Sequence, residues 1–350
     1  MYNSQRKSCL APSDCTIYRT SDCTIRGQEV ATRLHKEPRL EEPDLIASWP
    51  GIGNIGLIAV DTLKEMVGAE EFAEIDPWDF FYPRSVSIRK GILEELEFPR
   101  SRFYFQTVAR LPRRSSRGEP VRRKDLIFFV GEEQPGGGAT TYAEGGKAYQ
   151  MANLVLDVAL RFGCRRVYTS GAAVAPIHHT MKPRVWAVPN REYLVDEVRQ
   201  YDNTVLMSDI EGRGGQGTIT GLNGLLLGVA KKRGLEAICV MGEVPIYLQR
   251  SPWPYPKASK SVLEVLSKML EIQVDLGKLD ELAEAVDRRI EDFYARIPAE
   301  AREELEKLKY VTYGKPTEAG AITEEDKRRI MEHIDELFKK GGEEGGEKPL

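Results

Sequence analysis

Four apolar segments of this sequence run into a glycine with polar groups on or just after it: Trp49-Pro50-Gly51, Val130-Gly131-Glu132-Glu133, Ser170-Gly171 and Met241-Gly242-Glu243. In open α/β sheets, ligands sit beyond the carboxyl ends of the strands. Strand ends that converge would bring Glu132, Glu133 and Glu243 together as acid, base or hydrogen-bonding groups. The plain alternative is that a glycine after a strand simply makes a turn.

Gly51-x-Gly53-x-x-Gly56 adds a second possibility at the first of these ends. A glycine turn between a strand and a helix lets backbone N–H groups approach a phosphate at a positive helix end. Glu74 or Asp76 stands about twenty positions on, where a dinucleotide site places its ribose-binding acid. The following stretch, however, alternates like a hairpin, where a dinucleotide fold would continue with a helix and a parallel strand. Dinucleotide binding, binding of another anion and tight structural packing all stay open for this turn.

Other residues point less clearly to chemistry. His178 and His179 are adjacent and so point in different directions on a strand or helix. With four histidines in the chain and no cysteine nearby, no metal site is expected, although either ring could act as a general acid or base. Arg110, Arg113, Arg114, Arg117, Arg122, Arg123 and Lys124 form a basic stretch. It has no interleaved aromatics and the chain carries a net charge of −4, so it reads as a solvated loop with no nucleic-acid role. Residues 211–218 are glycine-rich but lack the Gly-Lys-Ser/Thr ending of a phosphate loop, and read as a mobile loop before a helix at Gly221. No Gly-x-Ser-x-Gly elbow or nucleophile–base pair occurs.

The elements that must position these groups follow from periodicity. Asp44 to Trp49 is a short apolar strand, and Leu57 to Val67 a buried helix closed by Gly68. Glu71 to Ile75 predicts another strand, and Phe80 to Ile88 and Arg102 to Ala109 predict antiparallel strands. Leu126 to Val130, Val167 to Ser170 and Ala237 to Met241 are continuous apolar strands. The helices between them carry inner faces of Tyr149, Ala152, Leu156, Ala159 and Leu160, and of Leu222, Leu225, Leu226, Val229 and Ala230. Strands buried on both faces and separated by helices imply a three-layer α/β/α sandwich with a mixed, largely parallel sheet. A helix with Val262, Leu263, Leu266, Met269 and Leu270 on its inner side follows the proline-punctuated run from Arg250 to Pro256. Leu279, Leu282, Val286, Ile290, Phe293 and Ile297 then make an apolar stripe. Pro298 ends that helix and opens another at Ala299, and Thr323 caps a last one.

The expected organisation is a disordered leader at 1–42, an α/β core at 43–274, a helical extension at 275–340 and a flexible tail at 341–350. The leader repeats Ser13-Asp14-Cys15-Thr16-Ile17 as Ser21-Asp22-Cys23-Thr24-Ile25, too short a repeat to build a solenoid. Cys164 and Cys239 sit by or in apolar runs, as reduced buried thiols do. No apolar run approaches the ~20 residues of a membrane span, and the N-terminus has no secretory core. With 30% charged residues, the expectation is a cytoplasmic protein without membrane or nucleic-acid partners.

Three segments in register carry a family resemblance. They are Trp49-Pro50-Gly51-Ile52-Gly53-Asn54-Ile55-Gly56, then Gly221-Leu222-Asn223-Gly224-Leu225-Leu226-Leu227, and Gly242-Glu243-Val244-Pro245 with Tyr255-Pro256-Lys257-Ala258. Together they resemble the proteasome assembly chaperone family, over roughly Asp44 to Ile272. The resemblance implies a fold similar to nucleoside phosphorylases, homo-oligomerisation and a protein-binding or assembly role without a cofactor. It leaves as alternative an enzyme or sensor binding a nucleoside, nucleotide or other small anion at the strand ends. Ligand contacts would then come from Gly51, Gly53, Asn54, Gly56, Ser170, Gly171 and Asn223, and catalysis from Glu132, Glu133, His178 or Glu243. Members are sometimes labelled ATP-grasp-like ligases, but the lysines and metal-binding set of such a ligase are not found here. Members can dock through a C-terminal hydrophobic–Tyr–any tripeptide. This sequence ends Lys348-Pro349-Leu350, so docking by that route is not expected.

Overall fold

The computed structural model describes residues 23–27, 30–107, 113–114, 120–121, 124–136, 146–209 and 217–310. In chain order the first half runs β1 (Cys23–Gly27), β2 (Val30–Leu34), β3 (Asp44–Ser48), α1 (Ile55–Met66) and β4 (Glu70–Ile75). The hairpin β5 (Ser85–Arg89) and β6 (Ile92–Glu97) follows, then β7 (Ser101–Gln106). The two-residue strands β8 (Arg113–Arg114) and β9 (Pro120–Val121) pair with each other ahead of β10 (Leu126–Gly131). Next come α2 (Gly146–Arg161), β11 (Arg166–Ala175), β12 (Val185–Pro189), α3 (Leu194–Arg199) and β13 (Thr204–Val205). The second half ends with α4 (Gly221–Lys232), β14 (Glu236–Pro245), α5 (Pro256–Met269), α6 (Gly277–Ala295) and α7 (Ala299–Glu306).

Ten strands form one sheet in the order β1-β2-β4-β7-β10-β3-β11-β14-β12-β13. Its centre, β10-β3-β11-β14, is parallel, and antiparallel strands flank it on both sides. This is the mixed three-layer sandwich expected from the alternation of strands and helices. The period-two geometry of a strand explains the layers. Leu45 and Ala47 point into the cluster under α2 and α4, and Ile46 between them points into the cluster under α1 and α5. All three are fully buried, as a central parallel strand requires.

Several boundaries differ from those expected. Order begins before residue 43, because Val30–Leu34 pairs with β4, and His35 and Lys36 N–H groups both donate to the Phe72 carbonyl. Buried Leu34 anchors that strand in the core, a tertiary pairing that local polarity hides. Phe80 and Phe81 are not in a strand; their N–H groups close a turn onto the Pro77 carbonyl, and pairing starts at Ser85. On α2 the buried face is Met151, Ala152, Leu154, Val155, Leu156, Val158 and Ala159, so Tyr149 and Leu160 face solvent. Packing is continuous across residue 274, since Leu279, Val286, Ile290, Ile297, Leu305 and Leu308 join the cluster under α1 and α5. The Thr323 helix, the tail, and most of the basic stretch and of the 211–218 loop lie outside the described residues. Cys164 and Cys239 are buried free thiols, and burial raises both pKa values, that of Cys239 to about 11.

Close backbone contacts set the layer spacing. A Cβ placed on Gly56 of α1 would lie 2.5 Å from the carbonyl carbon and oxygen of Ser170 on β11. Backbone cannot swing aside as a side chain can. By contrast, a Cβ on Gly228 of α4 meets nothing within 4 Å. Gly56→Ala therefore overpacks and is expected to destabilise by about 1–3 kcal/mol. Gly228→Ala gains helix propensity and is expected to stabilise by up to about 1 kcal/mol. Chemical denaturation of the two variants checks the opposite signs; equal effects would contradict the packing.

Candidate functional site

The residues expected at four strand ends do not all lie at strand ends. β11 and β14 continue past their glycines, and Gly171 pairs with Met241 and Ala172 with Gly242 inside the parallel ladder. Only the Gly51 and Gly131 positions close their strands. The reason is tertiary: helices press on the sheet at Gly171 and Gly242, and glycine there makes room without breaking the strand. A Cβ on Gly171 would be 2.9 Å from Asn223 Nδ2 of α4, and one on Gly242 would be 2.9 Å from the Ala258 carbonyl of α5 and the Ile55 side chain of α1.

Around these contacts, the first turns of α1 and α4 approach the carboxyl end of β3 from opposite layers. Trp49 is buried against Phe129, with ring centroids 4.9 Å apart, and a Cβ on Gly131 would strike its indole at 2.4 Å. Gln134 ties the two sides together, donating to the Pro50 carbonyl at 2.7 Å and accepting from Leu222 N–H at 3.1 Å. Gly53 has φ +59°, a left-handed conformation that suits glycine, and its carbonyl accepts the Tyr255 N–H at 2.8 Å. Gly51 is extended and exposed, and Asn54 is exposed at the start of α1 with φ +48° and no capping bond from its side chain. Three buried polar atoms in this region have no hydrogen-bond partner: Trp49 Nε1, Ser170 Oγ and Asn223 Oδ1. Ser170, Gly171, Asn223 and Gly56 are thus brought together, whereas Asn54 faces out.

The four expected catalytic groups are scattered. Glu243 is 1% exposed and fully engaged. Its Oε1 accepts from Trp186 Nε1 at 2.7 Å and Arg184 Nη2 at 3.2 Å, and its Oε2 accepts from the Arg184 backbone N–H at 2.9 Å. Its own N–H donates to the Arg184 carbonyl, so strand β14 and the segment entering β12 are stitched by both backbone and side chain. Glu132 and Glu133 sit at the other side of the sheet, both on Arg84, at 3.0 and 3.5 Å. Glu132 also lines a cleft of about 240 Å³ between α1 and the β7–β10 pair, with Asp61, Lys64, Arg100, Arg102 and Tyr104.

His178 and His179 form a stacked pair, ring centroids 4.1 Å apart and both at most 2% exposed. The Tyr247 hydroxyl lies 2.6 Å from His179 Nδ1 and accepts the His179 backbone N–H at 2.8 Å. The Glu291 carboxylate of α6, 3.1 Å from Nε2, can only accept, so in the neutral ring Nε2 carries the proton and donates to it, and Nδ1 accepts from the Tyr247 hydroxyl. His178 Nδ1 accepts from Thr180, and its Nε2 lies 3.8 Å from Glu306 of α7. Tyr294 of α6 packs on both rings. Lys257 of α5 bonds both the His179 carbonyl and Asp287 of α6. The pair is a clamp between the core and the C-terminal helices. Burial, then the neighbouring His179 ring, pushes His178 down to about 4, and burial also lowers His179.

Arg184, Trp186, Gln134, Tyr247 and Tyr294 were not foreseen. Arg184-x-Trp186 does carry a signal, since alternate residues of a strand share a face; the other three are joined to their partners only by the fold. Among the described residues, His35, Glu71 and Glu74 have metal-capable atoms within 4.8 Å of one another. They lie by the β2–β4 pair, where Glu71 pairs with Arg102, away from the residues above.

Two outcomes follow. Glu243→Gln breaks a buried charge pair and is expected to destabilise by about 3 kcal/mol or more; an unchanged denaturation midpoint would free Glu243 for chemistry. For the clamp, unfolded histidine protonates near pH 6.5 while His178 resists until about 4. Its contribution to stability is complete above about pH 6.5 and is lost as pH falls from there toward 4. Comparing midpoints at pH 7 and 4.5, His178→Gln should lose less on acidification than the unsubstituted protein.

The matching family model is that of the PAC2 family, over residues 45–293. An uncharacterized protein of Methanocaldococcus jannaschii is 28% identical over 266 residues, covering 75% of this chain and 88% of its own. Pyrococcus furiosus PbaB, described as an archaeal proteasome activator, is 27% identical with a TM-score of 0.61, over 76% of this chain and 99% of its own. A Mycobacterium tuberculosis proteasome-assembly chaperone homologue shares the fold at 21% identity and a TM-score of 0.56, over 76% and 99% of the two chains.

Proposed function

This chain belongs to the PAC2 family, the proteasome assembly chaperone family its three motif segments resemble, and on that premise we propose an oligomeric, non-catalytic protein-binding factor that assists proteasome assembly or activation in the cytoplasm. The observation that carries the reading is what its family motifs do in this molecule. Gly53, Gly56 and Gly242 serve close packing of α1, α5 and the sheet, and Glu243 is saturated by Arg184, Trp186 and backbone. Motifs used in this way preserve a rigid scaffold, and a scaffold offers surface to partners. The 27% identity to an archaeal proteasome activator supplies the class of partner. No described helix is long and apolar enough to cross a membrane.

A second reading rests on the unpartnered Trp49 Nε1, Ser170 Oγ and Asn223 Oδ1 beside the first turns of α1 and α4. Buried polar atoms normally have partners, and helix N-termini favour anions. A nucleoside, nucleotide or small anion lodged there would fit a nucleoside-phosphorylase-like site.

The full-length chain is expected to form a stoichiometric complex with proteasome subunits of its own cell in native mass spectrometry at about 10 μM, a concentration that detects micromolar affinity. No complex at that concentration overturns the first reading. Thermal shifts with nucleosides, nucleotides and phosphate decide the second, since a ligand that binds only the folded state raises the midpoint. A flat screen removes it.

A further inference from the structure

A histidine and two glutamates meet on one face of the sheet where β2, β4 and β7 run side by side. The strand register explains how. Directly opposed residues of an antiparallel pair share a face. Glu71 lies opposite Tyr104 and Glu74 opposite Arg102, and Tyr104 and Arg102, two apart on β7, point the same way. Residues three apart, as Glu71 and Glu74 are, would point to opposite faces of a regular strand. The bulge between Glu71 and Ala73 turns them onto one side, as bulges re-aim side chains. On β2, Arg33 is opposite Glu74, and His35, two residues on, continues that face. The Phe72 carbonyl, inside the bulge, accepts the His35 and Lys36 N–H groups at 2.7 and 3.2 Å, which pins the histidine beside the glutamates.

The pairing of charges along β4 leaves one acid over. Glu70 has Lys36 at 2.7 Å, Asp76 has Arg33 at 2.7 Å and Glu71 has Arg102 at 3.4 Å. Glu74 sits directly opposite both Arg33 and Arg102, yet each of these is turned to another acid. Among the described residues its one ion-pair partner is His35, and that contact is loose: Nε2 stands 3.9 Å from Oε1, beyond hydrogen-bonding distance. Two half-buried carboxylates side by side, one without a cation in contact, favour a positive ion between them. One imidazole nitrogen and two carboxylate oxygens within 4.8 Å of one another are the donor set of a zinc site with an open position. In a tetrahedral site with bonds of about 2.0–2.2 Å, neighbouring ligand atoms stand about 3.4 Å apart. Small rotations of side chains that already reach water close the set to that spacing. Arg102 holds Glu71 through Oε2 and leaves the other oxygen for the metal, the outer support that ligating carboxylates commonly have.

We infer that His35, Glu71 and Glu74 form a zinc-binding site, with three protein ligands and water in the fourth position. The site goes beyond both functional readings above and depends on neither.

Calorimetric titration of zinc chloride into the EDTA-stripped full chain tests it in three forms: unsubstituted, His35→Ala and Glu74→Gln. The unsubstituted chain is expected to take up zinc in a shell of nitrogen and oxygen at about 2.0–2.2 Å by X-ray absorption, without sulfur at about 2.3 Å. His35→Ala should weaken binding at least tenfold, and Glu74→Gln, which keeps the shape of the side chain, at least several-fold. Zinc should raise the unfolding midpoint of the unsubstituted chain and leave that of His35→Ala where it was. In EDTA all three forms should unfold alike, because these side chains reach water. No uptake at about 100 μM zinc, a concentration that detects micromolar affinity, overturns the inference. Uptake that both substitutions leave unchanged overturns it as well, and so does uptake at cysteine sulfur alone.

Discussion

Backbone pressed on backbone between α1 and β11 is the contact from which the rest of this molecule is arranged. With no side chain at Gly56, the helix settles against the Ser170 carbonyl, closer than any Cβ allows. That depth lets Ile55 reach Gly242 on β14, and it lets α5 enter beside the same glycine through Ala258. Tyr255, at the start of α5, then donates to Gly53 in the turn that began α1. Two helices and two central strands are thereby locked by residues that share little but smallness. Interiors are packed as tightly as organic crystals, so a spacing fixed at Gly56 is passed on to every neighbour.

The charged groups extend the same scaffold outward. Glu243 is taken out of water, which is tolerable only because every lone pair it presents is matched by Arg184, Trp186 or backbone. In that state it fastens the antiparallel strand β12 to the parallel centre. On the α1–α5 side, the stacked histidines, Tyr247, Lys257 and the acids of α6 and α7 fasten the C-terminal helices to the core. Neutral imidazole in a dry site, with the one ring proton of His179 donated to Glu291, suits a fixed joint better than a proton carrier. Rigidity is thus built in where a catalytic reading placed His178 and Glu243. The exposed β5–β6 hairpin lies outside this network.

Much of the architecture was legible because burial imposes periodicity. Leu126 to Val130 and Ala237 to Met241 could only be strands covered on both faces, and the stripe from Leu279 to Ile297 could only be a helix lying on something apolar. Less legible was anything that depends on a distant pairing partner. Val30–Leu34 is short and flanked by polar residues, and it is a strand because β4 offers it an edge. The face of α2 was rotated from the expected one because Tyr149 and Leu160 fit the spacing of the apolar stripe as well as Met151 and Val155 do, and only the sheet beneath chooses between them.

The candidate site divides along the same line. Residue types and their order along the chain, without coordinates, determined that Gly51 to Gly56, Gly221 to Leu227 and Gly242 to Pro245 belong together, and that α1 follows its strand through a tight glycine turn. They also determined the family. Whether a glycine ends a strand or makes room inside one depends on what approaches it, and that is a property of the packed layers. Only the tertiary structure decided that Gly171 and Gly242 are mid-strand contacts, that Glu243 has a fixed set of donors, and that two adjacent histidines join three helices to the sheet. The physical reason is that a side chain's chemistry follows from its neighbours and its access to water, and most of those neighbours lie far away along the chain.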